Sequence, residues 1–561
     1  MKILPLILVF ITLSITYSCN KDDSDNDTVP ISADTTLHED PGDYSWDPES
    51  VINIVLTGSS ATADGSGVKI VGNSITITKE GNYRLTGDLI GSLTVNADTN
   101  SLIRLILDNA SIENYEGPGL LIERSGKTLI NLKEETTNVL ADGATYLGQE
   151  TEVNAALFSK SDMTIFGLGT LIVKGKYNDG ITSKDGLIIK SGTLSVESVD
   201  DGIRGKDYLV IMDGNLTIKA GGNGLSADNS SSIYSGFIRI AGGNINITCS
   251  GDGISANASV VSTGGWLEVK SGGGSLILPS PDKSSKGIKG ILKVELAFNE
   301  CKLNCSDDGI HSNGLVKITD GDYTISTADD AIHADNEIVV NNGNIEIPGS
   351  KEGLESKLIT IDDGVLYITS TDDAINATAG TSTEQDDHSL VTFNGGDVVI
   401  NAITGDALDS NGSIQVNNGT IIILGPDTES EAAIDYNGVF NINGGYLIAA
   451  GTGSNMTLPP GVNSTQHSIT VYFSTFKEAS SLFHISDKDG NNVVTFRPLR
   501  NYRSVIFSSS KLKEQNVYKI YTGGSSSGIF KDGILIDGTY NPGTEVKEFM
   551  INNIVTIINI N

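Results

Sequence analysis

Three features of this 561-residue sequence predict an all-β fold: a right-handed parallel β-helix solenoid of about 22 residues per coil, then a C-terminal antiparallel β module. An acidic pair followed by a small residue and an aliphatic one recurs along the chain, as in DDGIRGKD (200–207), DDGIHSNG (307–314) and DDAIHADN (329–336). A glycine followed by alternating apolar positions recurs between those pairs. The composition completes the case. With 64 glycines, 2 tryptophans and much Asn, Asp, Ser, Thr, Ile and Val, it suits short strands and tight turns, not helices.

Aligned on the aliphatic residue, the repeat gives Ile181, Ile203, Leu225, Ile254, Ile288, Ile310, Ile332, Leu354, Ile375, Leu408 and Ile434. Most gaps are close to 22 residues, with occasional insertions, which is the signature of a solenoid. The second motif reads GTLSV (192–196), GNLTI (214–218), GNINI (243–247), GDYTI (321–325), GNIEI (343–347), GVLYI (364–368) and GTIII (419–423). Period-two alternation marks strands with one buried face. So short a repeat leaves no room for a helix, and each becomes one coil of strands. The right hand is taken from most known parallel β-helices.

The formal net charge of −33 argues against nucleic acid and anionic membrane surfaces as partners. Residues 465–561 carry 10 basic and 8 acidic side chains, and this shift sets a domain boundary. The segment 469–524, with alternating strands and DG and GN turns, reads as the antiparallel module that closes the last coil. Residues 34–60 are expected to cap the other end. The start, MKILPLILVFITLSITYSC, has one lysine and an apolar run too short for a comfortable membrane span. It resembles a bacterial lipoprotein signal with Cys19 as the lipidated residue, although Thr16 stands where such signals usually carry Leu. An ordinary secretory peptide with an incidental cysteine is the alternative. Lys21-Asp22-Asp23 is similar to the signal that sends lipoproteins to the outer face of the outer membrane. The expected organisation is therefore signal (1–19), acidic tether (20–33), β-helix (34–464) and capping module (465–561), in a monomer touching the membrane through its lipid alone.

Cys249, Cys301 and Cys305 are an odd number without metal-type spacing, and buried thiols are expected. Cys249 and Cys305 share a small-residue column with Ser198, Ala220, Thr327 and Ser370, two coils apart, too far for a disulfide.

Parallel coils stack equivalent positions about 4.8 Å apart. The column two residues before the aligned aliphatic reads Asp179, Asp201, Asn223, Asp252, Lys286, Asp308, Asp330, Glu352, Asp373, Asp406 and Ala432, and Asp200, Asp307, Asp329 and Asp372 stand beside it. Carboxylates stacked so closely need protons, interleaved bases or bound cations. Lysine and asparagine serve some coils, but around Asp307, Asp308, Asp329, Asp330, Asp372 and Asp373 little beyond Lys351 is at hand. An oxygen-rich cluster without sulfur suits a hard cation, Ca²⁺ first. The competing explanation is that Asp-Gly and Asn-Gly are good turn formers. His311 and His333 are expected to stack and face outward, not to bind zinc. Tyr44, Trp46, Tyr83, Tyr115, Tyr146, Tyr177, Tyr208 and Trp266 form no ladder at coil spacing and read as surface or cap aromatics.

The segment KYNDGITSKDGLIIKSGTLSVESVDDGIRGKDYLVIMDGNLTIKAGGNGLSADN (176–229) resembles the bacterial cell-surface carbohydrate-binding domain-containing proteins. SGVKIVGNSITITKEGNYRLTGDL (66–89), LILDNASI (105–112) and VNAALFSKSDMTIFGLGTLIVKG (153–175) continue the likeness, which covers about 50–460. The resemblance implies a calcium-binding, right-handed parallel β-helix of pectate-lyase-like fold. It also implies a non-catalytic binder of cellulose or acidic pectic glycans, with Asp179, Asp200 and Asp201 as first metal candidates.

Two other functions remain open. Asp179 followed by Asp200 and Asp201 is similar to the metal cluster of a pectate-lyase family, and a calcium-dependent lyase could use Arg204, Lys184 or Lys206 as its base. That family continues with an acid where this chain has Arg204. A structural surface spacer or adhesin would need no ligand at all.

Overall fold

The computed structural model describes residues 37–561 apart from 149, 381–384 and 454–456. The expected signal, Cys19 and the tether lie outside the described residues. His38–Asn561 form one compact unit. Among the described residues there is no α-helix; one 3₁₀ turn, Pro48–Ser50, precedes a chain of short strands.

The strands pair in parallel with the strand three further along. Asp179–Ser183 pairs with Ile203–Gly205, Gly186–Ile189 with Tyr208–Ile211, and Thr193–Ser198 with Asn215–Ala220. The result is a long, mainly parallel, solenoid-like sheet. Its register is the one the repeat displays. Ile181 pairs with Ile203, Ile203 with Leu225, Leu225 with Ile254, and Ile254 with Ile288. The row continues through Ile310, Ile332, Leu354, Ile375, Leu408 and Ile434. It also runs upstream through Leu157, Leu120, Leu93 and Ile75, where no acidic pair marks it in the sequence. Every member of the row is 0% exposed, so each contributes about 1.5–3 kcal/mol of apolar burial.

Both recurrent glycines have steric causes. Gly214, Gly343 and Gly364 have φ of 126°, 118° and 106°, and a Cβ on each would lie 2.7–2.9 Å from the carbonyl oxygen of the equivalent glycine one repeat earlier. The glycine of the acidic motif sits as tightly. A Cβ on Gly180 would meet Val196 Cγ1 at 2.4 Å and Gly202 O at 2.7 Å. Only alanine replaces it in the later repeats, as Ala331, Ala374, Ala407 and Ala433.

The thiols lie where the spacing places them. Cys249 pairs with Ser271 and Ser271 with Cys305, and all three cysteines are buried and free.

Only the first part of the expected 34–60 end cap departs from that place. Residues 38–47 lie across the outer side of one strand column instead. His38 hydrogen-bonds Tyr208 Oη and Thr164 Oγ1, each at 2.7 Å, and Lys190 pairs with Glu39 at 2.5 Å. Lys127 is held between Asp40 and Asp43 at 2.8 and 2.7 Å, and Tyr44 packs edge-on against Phe166. The cause is a set of outward aromatic side chains: Phe166, Tyr208 and Phe237 keep only 8, 6 and 7% exposure beneath this cover and their neighbours. Tyr83, expected near the surface, is fully buried, with its hydroxyl on Lys79 O. Val51–Gly58 then pairs in parallel with Gly81–Ile90.

At the other end, Tyr502–Ser508 pairs antiparallel with Tyr446–Gly451 and with Ser468–Lys477. It therefore occupies the edge that the last parallel strand would otherwise leave open. Val555–Ile560 adds a parallel strand on Ser468–Lys477, and a separate six-stranded antiparallel sheet carries the rest. The module also covers a flank. Outward-facing Ile422 and Ile448 share a core with Phe473, Phe496 and Phe507.

Candidate functional site: the acidic strip

The residues two before the aligned aliphatic row form a ladder in which most side chains serve the backbone of the next repeat. Asp179 Oδ1 accepts from the Asp201 N–H at 3.3 Å, Asp201 Oδ1 from Asn223 at 2.8 Å, and Asn223 Oδ1 from Asp252 at 2.9 Å. Asp252 Oδ1 serves the Lys286 N–H at 2.9 Å, and Asp373 Oδ1 serves Asp406 at 2.7 Å. A weaker contact of 3.4 Å joins Asp308 Oδ1 to the Asp330 N–H, and Asp406 Oδ1 accepts from Ala432. Asparagine fits the column because it carries the same acceptor, and alanine fits at its end. Lys286 has no acceptor to offer. One repeat later the Asp308 N–H turns to its own neighbour, Asp307 Oδ1, at 2.9 Å. The turn-forming role of these acids is thus real, and it occupies one carboxylate oxygen.

The second oxygen meets the side chain three residues on. In the row Thr182, Arg204, Ser226, Ser255, Lys289, His311, His333, Glu355, Asn376, Asp409 each residue pairs with the next; Thr182 and Ser226 are buried, and residues such as Arg204 and His311 are partly exposed between two buried neighbours. Asp179 Oδ2 accepts from the Thr182 hydroxyl and the Asn154 amide, each at 2.8 Å, with Arg204 Nη1 at 3.8 Å. Asp308 Oδ2 meets Lys286 Nζ at 2.6 Å and His311 Nδ1 at 2.9 Å. Asp330 Oδ2 meets His333 Nδ1 at 3.1 Å.

These contacts correct two expectations. The stretch around Asp307 and Asp308 is not short of bases, because Lys286 reaches both, at 2.7 and 2.6 Å. His311 and His333 do stack, with centroids 5.0 Å apart, but they are half-buried among carboxylates and do not simply face outward. The carboxylates they touch, three residues before each, carried that signal in the sequence.

The electrostatics divide the strip. At its two ends burial and neighbouring carboxylates push acids upward: Asp179 to about 7 through burial and Asp201, and Asp373 to about 8 through burial, Asp406 and Glu352. Burial lifts Asp406 to about 7, and burial with Asp373 and Asp406 lifts Asp409 to about 8. The middle is mixed: against the effect of burial, His311 and Lys286 hold Asp308 down to about 2, while burial and then Asp308 raise the neighbouring Asp330. His333 is raised against burial by Asp330 and Glu355.

Of the candidate metal ligands, the structure gathers Asp307, Asp308 and Asp329, whose ligand atoms lie within 4.8 Å of one another. Asp330 comes together with His333 and Glu355, and Asp406 with Asp409 and Asp435, on the same measure. Asp179, Asp200 and Asp201 do not gather so closely among the described residues, nor do Asp372 and Asp373 with a third ligand. Asp200 and Asp372 are exposed. Arg204 is ion-paired with Asp228, which raises it further and leaves it no base. Lys184 is the contrary case: burial, then Arg204, lowers its pKa. Lys206 is half-buried.

This array of parallel strands bearing an acidic strip defines the class of protein, and comparison with known sequences identifies it. The family described as carbohydrate-binding domain-containing protein matches residues 71–331 and 329–465, more than half of the chain, and the chain belongs to that family. A carbohydrate-binding domain-containing protein of Acetivibrio thermocellus is 30% identical over 150 residues, 26% of this chain and 52% of the relative. The chain thus spans about half the length of the curated relative it matches. The solved structure of the polysaccharide lyase-like protein from C. thermocellum, a gadolinium derivative, is similar over 40% of this chain and 92% of that one, at 30% identity and a TM-score of 0.39.

The raised acids fix a pH dependence. Asp179, Asp373, Asp406 and Asp409 hold protons in the folded chain at pH values where the unfolded chain, near 3.9, has released them. Folding then takes up protons, and stability falls as pH rises from about 4 to 8, by at most about 1.4 kcal/mol per pH unit for each group. Chelator-treated protein melts at a lower temperature at pH 8 than at pH 5.5, and Asp409→Asn flattens the trend. A melting temperature that climbs over this range contradicts the assignment.

Proposed function

We propose that this protein is a non-catalytic polysaccharide-binding protein of the cell surface whose acidic strip holds Ca²⁺ and, through it, acidic pectic glycans. One observation carries the reading: the residues matched to the carbohydrate-binding family, 71–331 and 329–465, span the whole strip from Asp179 to Asp435. The repeats are taken to close as a right-handed parallel β-helix of about 22 residues per coil, the hand that parallel crossovers favour.

A strip of carboxylates repels a polyuronate unless cations join the two. Calcium is favoured because the end clusters offer oxygen alone. Its best positions are where carboxylates otherwise keep protons: Asp406, Asp409 and Asp435 with Asp373 nearby, and Asp179 with Asp201. Asp307, Asp308 and Asp329 also gather, but the Lys286 ammonium already stands among them. Neutral cellulose is the weaker ligand. Trp266 is 52% exposed, but its partners in register are Asn244 and Glu300, so no aromatic platform extends from it.

The test is retention of the protein on immobilised polygalacturonate. Binding in millimolar CaCl₂ that is lost in EDTA and weakened severalfold by the pair Asp406→Asn and Asp409→Asn supports the reading; calcium-independent binding to cellulose contradicts the bridge. Retention on neither glycan leaves the spacer. A lyase is the second reading, favoured by Lys184, whose pKa burial and then Arg204 lower. Release of ultraviolet-absorbing unsaturated uronate, abolished by Lys184→Ala, would replace binder with enzyme.

The proposed location is the outer membrane, anchored through lipid on Cys19. Cys19→Ala should abolish palmitate labelling and free the protein from the membrane fraction; unchanged labelling refutes the anchor.

A further inference from the structure

The middle of the strip differs in chemistry from its ends. Asp330 and His333 stand three residues apart on one strand turn, and the parallel register sets Glu355 beside His333. His333 Nδ1 lies 3.1 Å from Asp330 Oδ2 and 3.0 Å from Glu355 Oε2, and the three ligand atoms fall within 4.8 Å of one another. We propose that Asp330, His333 and Glu355 form a binding site for a divalent transition metal of the zinc class, separate from the oxygen-only positions proposed for calcium.

The donor set favours such an ion. One imidazole with two carboxylates is a ligand combination of zinc and its neighbours, and too few oxygens for calcium, which seeks six to eight. Tetrahedral metal bonds of about 2.1 Å place adjacent donors about 3.4 Å apart, so the 3.1 and 3.0 Å that separate His333 Nδ1 from the two carboxylates need open by only a few tenths of an ångström to admit the ion. A second observation points the same way. Asp330 is 5% exposed, yet its Oδ1 has no hydrogen-bond partner among the described residues. A buried carboxylate oxygen left unpaired is costly, and an ion held by that carboxylate would neutralise it.

Access is open on one side, because the side chains of His333 and Glu355 are each 24% exposed. That leaves room for water to complete the coordination. The neighbouring cations are engaged elsewhere: Lys286 with Asp307 and Asp308, and Lys351 with Asp329 and Glu352 at 3.6 and 3.5 Å. His333 also touches Asp335 through Nε2 at 3.3 Å, a carboxylate placed to orient the ring. Coordination through Nδ1 requires that nitrogen to be unprotonated. Any proton carried there passes to solvent as the nitrogen lone pair turns to the metal.

The inference rests on this geometry and does not depend on any glycan. Its test uses the chelator-stripped, full-length protein titrated with CoCl₂, whose visible ligand-field bands report nitrogen and oxygen donors. Expected are bands that saturate at one equivalent, persist in millimolar CaCl₂, vanish on addition of ZnCl₂, and are lost in both His333→Ala and Glu355→Gln. Asp409→Asn should leave them unchanged. Circular dichroism checks the fold of each variant, and the isosteric Glu355→Gln keeps the test decisive if His333→Ala does not fold. Absence of bands in the wild-type protein, their displacement by CaCl₂, or their survival in a folded variant lacking His333 or Glu355 overturns the proposal.

Discussion

Stacking in parallel register copies every side-chain choice into a row about 4.8 Å apart, and the rest of this structure follows from that constraint. A row of Ile and Leu becomes a continuous core. A row of glycines becomes a line of turns in which the carbonyl of one repeat occupies the space of the next Cβ. A row of aspartates becomes a line of like charge, which has to be relieved within the same strip. The protein relieves it in three ways: hydrogen bonds from backbone N–H groups to Oδ1, ammonium and imidazolium groups at Lys286, His311 and His333, and retained protons at the two ends.

The backbone role and the ligand role of the acids are therefore compatible. At most positions Oδ1 is used by the next repeat and fixes the carboxylate in place, Asp330 being an exception. Oδ2 is left to face whatever stands three residues on. Where that partner is His311, an imidazole meets the carboxylate; where it is Asp409, a second carboxylate stands there and the strip is relieved by retained protons instead. Such fixed, imperfectly neutralised groups are suited to a cation, because their geometry needs no rearrangement to receive one. Arg204 shows the same logic in reverse. It lies in the row of Thr182 and His311, and its charge is absorbed by Asp228 and Asp179.

Much of this was legible in the sequence, for a physical reason. The aligned row from Ile181 to Ile434 matches the strand register because a slip of one residue would turn each buried aliphatic side chain to the surface. The buried cysteine column was readable on the same ground. The upstream members, Ile75 to Leu157, were missed because they carry no acidic pair to mark them. The surroundings of His311 and His333 were misjudged because attention to the acid column alone ignored the residue three places on. The side-lying segment 38–47 was beyond a local reading, since its contacts reach from Glu39 to Lys190 and from His38 to Tyr208, and no periodicity announces them.

The function proposed for the strip depends on whether its carboxylates take a hard cation. The most direct measurement is an anomalous difference map from crystals grown in calcium chloride. The account predicts at least one calcium peak about 2.3–2.6 Å from Oδ2 of a carboxylate in the end clusters, at Asp406, Asp409 and Asp435 or at Asp179 and Asp201. A map with no peak along the strip, its carboxylates meeting only side chains, backbone and water, would contradict it and leave the acids as turn residues alone.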